Sequence, residues 1–188
     1  MKVYVHLCFD GFTNSYTVLN DNPDVMEAVI LDPGKVDADT ISLIETGGYS
    51  LAAVLITHNH KNHLKGLQTL KKIYAPTVYS ADSETYGMNR SILNGDGTIR
   101  VAGLNVDFFS VPGHSPDSMV YKIEDMLFTG DTVLSGLTGS TSSSYSQKLL
   151  CRKIREKLFS LPGRTVVFPG HGAPSTIESE RQFNIDVT

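Results

Sequence analysis

Four apolar runs in this chain each end in a turn residue and then a side chain able to hold a metal. LAAVLIT closes on His58, VDFFSVPG on His114, MLFTG on Asp131 and TVVFPG on His171. Buried strands that all finish on such residues predict convergence at one rim of a rigid scaffold, where loops carry function. The densest segment is THNHKNH, which sets His58, His60 and His63 at a strand end and helix start. A lone histidine is usually structural, but three at that spacing form a metal-ligand pattern. His6 stands apart from these segments and reads as an ordinary strand residue.

Runs rich in β-branched and aromatic residues predict strands over 3–9, 16–19, 28–31, 52–57, 77–80, 99–102, 106–111, 119–123, 126–129 and 165–168. Helical periodicity is clearest over 147–161, where Leu150, Ile154, Leu158 and Leu161 share one face and basic residues fill the other. Further helices are predicted over 39–45, 64–74 and 176–183. Strands and helices interleave, so a layered α/β fold with helices outside is expected. The Ser-rich stretch 135–146 reads as a solvated loop, or else as a flap over a site.

At 188 residues, 40% hydrophobic and 19% charged, the chain is long enough to bury a core without a metal or disulfide staple. Any metal would then serve chemistry, and one domain spanning 1–188 is the expectation. A net charge of -4 lacks the electrostatic footprint of a nucleic-acid-binding protein. No apolar stretch is long enough to span a membrane. Cys8 and Cys151 are far apart, and the N-terminal residues lack a signal-peptide pattern. A cytoplasmic location is the resulting expectation.

Five imidazoles and a carboxylate suit Zn, Fe or Mn and exceed what one tetrahedral ion needs. Two adjacent ions bridged by Asp131 fit the count, and the chemistry such a pair supports is hydrolysis.

THNHKNHLKG resembles the T-H-x-H-x-D-H-x-x-G signature of the metallo-β-lactamase superfamily. VPGHS, FTGDT and FPGHG agree in order, as do NSYTVL and ILDPG nearer the N-terminus. Within the superfamily, FPGHGAPSTIESERQFN is most similar to compact hydrolases of the hydroxyacylglutathione hydrolase (glyoxalase II) type. The resemblance implies a four-layer αββα sandwich with a metal site at one edge. It also implies that His58, His60 and His114 hold a first metal and His63 and His171 a second, with Asp131 bridging. The short segment after His171 does not match the helical extension with which glyoxalase II binds glutathione, so the resemblance does not carry glutathione specificity over to this chain.

The sequence departs from the pattern at Asn62, where the family has an aspartate. An amide is a weak neutral ligand, so the second metal becomes uncertain while the first survives; alternatively, Asn62 caps the following helix. Asp131 and Asn62 are the positions on which catalysis should turn. Asp117, in HSPDS, reads as a surface turn. The expected function is a metal-dependent hydrolase, with one or two Zn ions or Fe or Mn, cleaving a thioester or ester of a small acyl compound by a metal-bound hydroxide. Lactone or phosphoester hydrolysis, or a catalytically weakened metal-binding sensor, are the alternatives. Neither nucleic acid nor membrane is expected as a partner, and the sequence leaves the oligomeric state open.

Overall fold

In the computed structural model, which describes residues 1–9, 11–82 and 89–187, the strand-forming runs pair into two mixed sheets. The first contains β1 (Lys2–Cys8), β2 (Thr13–Asn20), β3 (Glu27–Leu31), β4 (Ser50–Leu55), β5 (Thr77–Ser80) and β6 (Arg90–Ile92), side by side in chain order. The second contains β7 (Gly97–Val101), β8 (Leu104–Ser110), β9 (Met119–Ile123), β10 (Met126–Gly130), β11 (Val166–Pro169) and β12 (Ser175–Thr176), again in order.

Strand periodicity sorts the side chains into layers. Successive residues face opposite ways, so Val29 and Leu31 point between the sheets and meet Val106, Tyr121, Ile123 and Phe128 from the other side. Their neighbours Ala28 and Ile30 face outward against Ile44 of α1 (Ala38–Thr46) and Leu67 and Leu70 of α3 (Leu67–Ile73). On the opposite exterior, Val120, Leu127 and Val167 pack on Leu150 of α4 (Ser144–Lys153) and on Ile154 and Leu158. Ile177 of α5 (Ile177–Phe183) completes that layer. Sheets buried on both faces explain why these strands are nearly continuous apolar runs. The result is the expected αββα sandwich.

Strand direction places the site. β3 and β4 run parallel, as do β10 and β11, and β8 is antiparallel to β9, which is antiparallel to β10. The C-terminal ends of β3, β4, β8, β10 and β11 therefore lie at one rim, and the segments after them carry Asp32, His58, His114, Asp131 and His171.

The helices differ from expectation in two places. The periodic stretch expected over 147–161 begins earlier, because Ser143 caps α4 by accepting a hydrogen bond from the Ser146 amide, and it ends in a π-helical turn over Ile154–Leu158. The helix expected over 64–74 is broken into α2 (Lys61–Leu64) and α3. Gly66 separates them, its amide donating to the Pro33 carbonyl at 2.7 Å, and a β-carbon there would stand 2.6 Å from the Val36 side chain. Strands β6 and β12 were not expected; at three and two residues they are too short to show a period.

Candidate metal centre

Each ligand-bearing loop is fixed by the chain around it. Gly130 sits at φ +50°, and a β-carbon there would collide with the Thr57 side chain, so only glycine lets β10 turn into Asp131 beside β4. The FPGHG turn is held from β2, where the Asn14 side-chain amide donates to the carbonyls of Pro169 (3.0 Å) and Gly172 (2.8 Å). The Tyr16 hydroxyl donates to the same Pro169 carbonyl at 2.5 Å. Gly139 and Gly170 press backbone against Asp131, leaving no room for a β-carbon at either place.

Two groups of donors result. His58, His60, His114 and Asp131 form one, and His63, Asp131 and His171 the other, with the donor atoms of each group within 4.8 Å of one another. In the first, His60 Nδ1 lies 2.8 Å from His58 Nε2 and 3.1 Å from His114 Nε2. Asp131 Oδ2 lies 3.5 Å from the Nε2 atoms of both His114 and His171, and Asp131 Oδ1 lies 3.5 Å from His63 Nε2. All six residues expected from the sequence as ligands are thus brought together, and Asp131 belongs to both groups.

The outward ring nitrogens are anchored, which settles where the inward ones point. His63 Nδ1 is 3.2 Å from Asp32 Oδ2, His114 Nδ1 is 2.7 Å from the Ser140 carbonyl and His171 Nδ1 is 2.9 Å from the Phe12 carbonyl. Each partner accepts the Nδ1 proton, so each Nε2 offers its lone pair to the centre. The Thr57 hydroxyl donates to Asp32 Oδ2 at 2.6 Å and sits 3.0 Å from His58 Nδ1. Its single proton is committed to the carboxylate, so it accepts from His58, whose Nε2 also turns inward.

These residues fit a metal. His63 Nε2 and Asp131 Oδ1 are buried with no hydrogen-bond partner among the described residues, a costly state for polar atoms unless a cation lies between them. Burial, reinforced by neighbouring imidazoles, pushes the His58 pKa far below its ordinary value, and burial with His114 lowers that of His60. Both rings are therefore neutral and able to coordinate. Burial is the largest single influence on His63 and opposes its charge, yet the Asp32 hydrogen bond and the nearby carboxylates together raise its pKa.

Asn62 lines the hollow of the second donor group together with Lys61. It is not a helix cap: the N-cap of α2 is His60, and no side chain caps that helix. The Asn62 side chain instead lies over Gly11, where a β-carbon would stand 2.9 Å from its Cγ. Asp117 is more than a surface turn, since its Oδ2 accepts the Asn59 amide at 2.7 Å and so ties the VPGHS loop to the THNHKNH segment. The stretch 135–146 supports the centre from within: the Gly139 amide donates to the Asp131 carbonyl at 2.8 Å, and Ser140 orients His114. The anchors Asp32, Thr57 and the Phe12 and Ser140 carbonyls had no role assigned from sequence. Asp32 carried a signal, an acidic residue following the buried run EAVIL; the carbonyls carried none.

A sandwich of two mixed sheets with histidines and one shared aspartate at its rim defines a metal-centre scaffold. The chain belongs to the metallo-beta-lactamase superfamily, whose profile matches residues 9–171. It is 32% identical over 164 residues to a hydroxyacylglutathione hydrolase of Chromohalobacter salexigens, covering 86% of this chain and 63% of that protein. The chain thus spans less than two thirds of that relative's length. It is 30% identical over 197 residues to the mitochondrial persulfide dioxygenase ETHE1 of Mus musculus, covering 99% of this chain and 76% of that one. Among solved structures, the BLEG-1 B3 metallo-beta-lactamase superposes with a TM-score of 0.85 at 27% identity, covering all of both chains.

Proposed function

We propose that this protein is a metal-dependent hydrolase of a small thioester or ester. The observation that carries the reading is the shared carboxylate: Asp131 belongs to both donor groups, and its Oδ1 and His63 Nε2 are buried with no hydrogen-bond partner among the described residues. A divalent ion bound there supplies Lewis acidity and makes water nucleophilic near neutral pH. The donor set suits Zn, with Fe or Mn as substitutes. In the net reaction water adds to the acyl carbon and the carbon–sulfur bond breaks. The bonding pair leaves with sulfur, so the products are a carboxylic acid and a thiol.

The chain's own residues supply position. Asp32, Thr57 and the Phe12 and Ser140 carbonyls hold the imidazoles in the tautomers that face inward. A thiolate is a good leaving group, so the absence of an assigned general acid is compatible with a thioester. Similarity to hydroxyacylglutathione hydrolase supports the same class. Among the described residues no helix is long and apolar enough to cross a membrane. Our reading places the protein in the cytoplasm with a small acyl compound as its partner. The test is metal analysis of the purified protein, followed by hydrolysis assays on thioester, lactone and phosphoester substrates after chelation and after reloading with Zn, Fe or Mn. Thioester or ester cleavage that disappears with chelation and returns with metal supports the proposal; turnover of none of these substrates overturns it.

One further reading has support from the comparisons. The match to a persulfide dioxygenase runs through nearly the whole chain, so oxygen uptake with a persulfide belongs in the same panel. Uptake without hydrolysis of any substrate in the panel replaces the hydrolase reading.

A further inference from the structure

The surroundings of the centre are electrically lopsided. On one side a hollow of about 510 Å³ is lined by Asn59, Asp82 and Asp117 and, among the described residues, by no basic one. On the other, two smaller hollows adjoin through Leu149. The first, about 290 Å³, runs from His114 to Ser146 and Leu149. The second, about 250 Å³, is lined by Tyr145, Lys148, Leu149 and Arg152. Among the described residues, no carboxylate lines either of these two.

Helical geometry puts the four residues of the second hollow on one face, since positions three and four apart are neighbours. From Tyr145 to Arg152 the face extends about 10 Å along α4. Lys148 and Arg152 stand one turn apart, about 5–6 Å between β-carbons, a span that two charged oxygens of a phosphate group can bridge. The Arg152 side chain does approach Glu156, at 4.0 Å, but both are more than half exposed and such a pair is readily exchanged. The Tyr145 ring, 75% exposed, offers an unused flat face beside the cations. Core packing does not explain an aromatic ring placed there, and two cations are too few for a nucleic-acid footprint on a chain of net charge -4.

We propose that this face of α4 binds the leaving-group half of the substrate, and that this half is a thiol carrying a phosphate-bearing extension with a planar ring. Lys148 and Arg152 take the phosphate, Tyr145 stacks on the ring, and the Leu149 hollow leads the chain of the thiol to His114. The proposal rests on the hydrolase reading for its reaction, but its test reads binding alone. A peptide thiol such as glutathione offers carboxylates without a ring and uses only part of this face.

The experiment is calorimetric titration of zinc-loaded protein with three free thiols: N-acetylcysteamine, glutathione and coenzyme A. All three present the same sulfur to the centre, so differences report the extension. Coenzyme A is expected to bind at least about tenfold more tightly than N-acetylcysteamine, the effect of one well-made charged hydrogen bond. Lys148→Glu and Arg152→Glu should each weaken coenzyme A by a similar factor while leaving N-acetylcysteamine unchanged, and Tyr145→Ala should weaken coenzyme A alone. These sites lie on the exposed face of α4, and equal melting temperatures check that the variants fold. Equal binding of all three thiols, glutathione outbinding coenzyme A, binding of none, or charge reversals without effect each overturn the proposal. Coenzyme A binding without turnover of any thioester, lactone or phosphoester leaves this face as the binding site and removes the hydrolase reading.

Discussion

His63 Nδ1 lies 3.2 Å from Asp32 Oδ2, and the same carboxylate accepts the Thr57 amide at 2.8 Å and the Thr57 hydroxyl at 2.6 Å. One buried aspartate thus sets His63 directly and His58 through Thr57. Such outer partners typically govern metal affinity by about 10–100-fold. Asp32→Asn should weaken zinc binding by at least about tenfold while leaving the six donors in place, as measured by competition with a chromogenic chelator. Wild-type affinity in a folded variant would show that the imidazoles are held without it.

Asn62 tests the second donor group. Two imidazoles and a carboxylate shared with the first donor group, with the cation Lys61 also lining the hollow, make this the weaker of the two sites for a divalent ion. Asn62→Asp should raise zinc content from about one towards two per chain and tighten the weaker step by about tenfold or more. Lys61→Ala should tighten it by about two- to fivefold, the scale of an exposed charge–charge effect. Two equal tight steps in the wild type, read by calorimetry, would refute the asymmetry.

Protons and metal contend for the same rings. The pKa values of His58 and His60 lie below the ordinary 6.5 in the folded chain. Below that pH the unfolded chain therefore binds more protons at these positions, and stability falls as pH falls. His63 works in the opposite sense, because its pKa is raised: its contribution is present below 6.5 and is lost as pH rises through the folded value. His6, whose burial also lowers its pKa, adds to the first two, and three rings against one predict that chelated protein melts at lower temperature at pH 5 than at pH 7. A melting temperature that is flat or rises on acidification would count against the neutral assignment of His58 and His60.

Gly130 carries the turn that delivers Asp131. Gly130→Ala forces a β-carbon at φ +50° into Thr57, and strain of this kind costs about 1–3 kcal/mol before any clash is counted. Loss of stability together with loss of metal is expected, because Thr57 also anchors His58. Urea unfolding and zinc content on the same preparation check both halves.

The layers and most of the donors were legible in the chain itself, because apolar runs such as LAAVLIT and TVVFPG carry their burial and their ends openly. His58, His60 and His63 were visible through spacing alone, and His114, Asp131 and His171 through the turn residues before them. What could not be read was contact without a local pattern. The Phe12 and Ser140 carbonyls support His171 and His114 from 159 and 26 residues away in the chain, and a backbone oxygen has no sequence signature. Asn62 was misjudged as a candidate cap for a related reason. Helix α2 begins after His60, ahead of the expected start near Leu64, and Gly66 parts it from α3 where its amide meets the Pro33 carbonyl and a β-carbon would strike Val36.

His58, His60 and His63 follow β4 of the first sheet, whereas His114, Asp131 and His171 follow strands of the second. An ion seated among them is a cross-link between the two halves of the sandwich, and it exists only while both halves are folded. At a free metal concentration a hundredfold above its dissociation constant, such a link adds about 2.7 kcal/mol against unfolding. The lifetime of this protein in a cell would then follow the supply of metal: starved of it, the chain opens more often along this rim and is cleared by proteases sooner. Abundance itself becomes a record of metal status, apart from any reaction the centre performs.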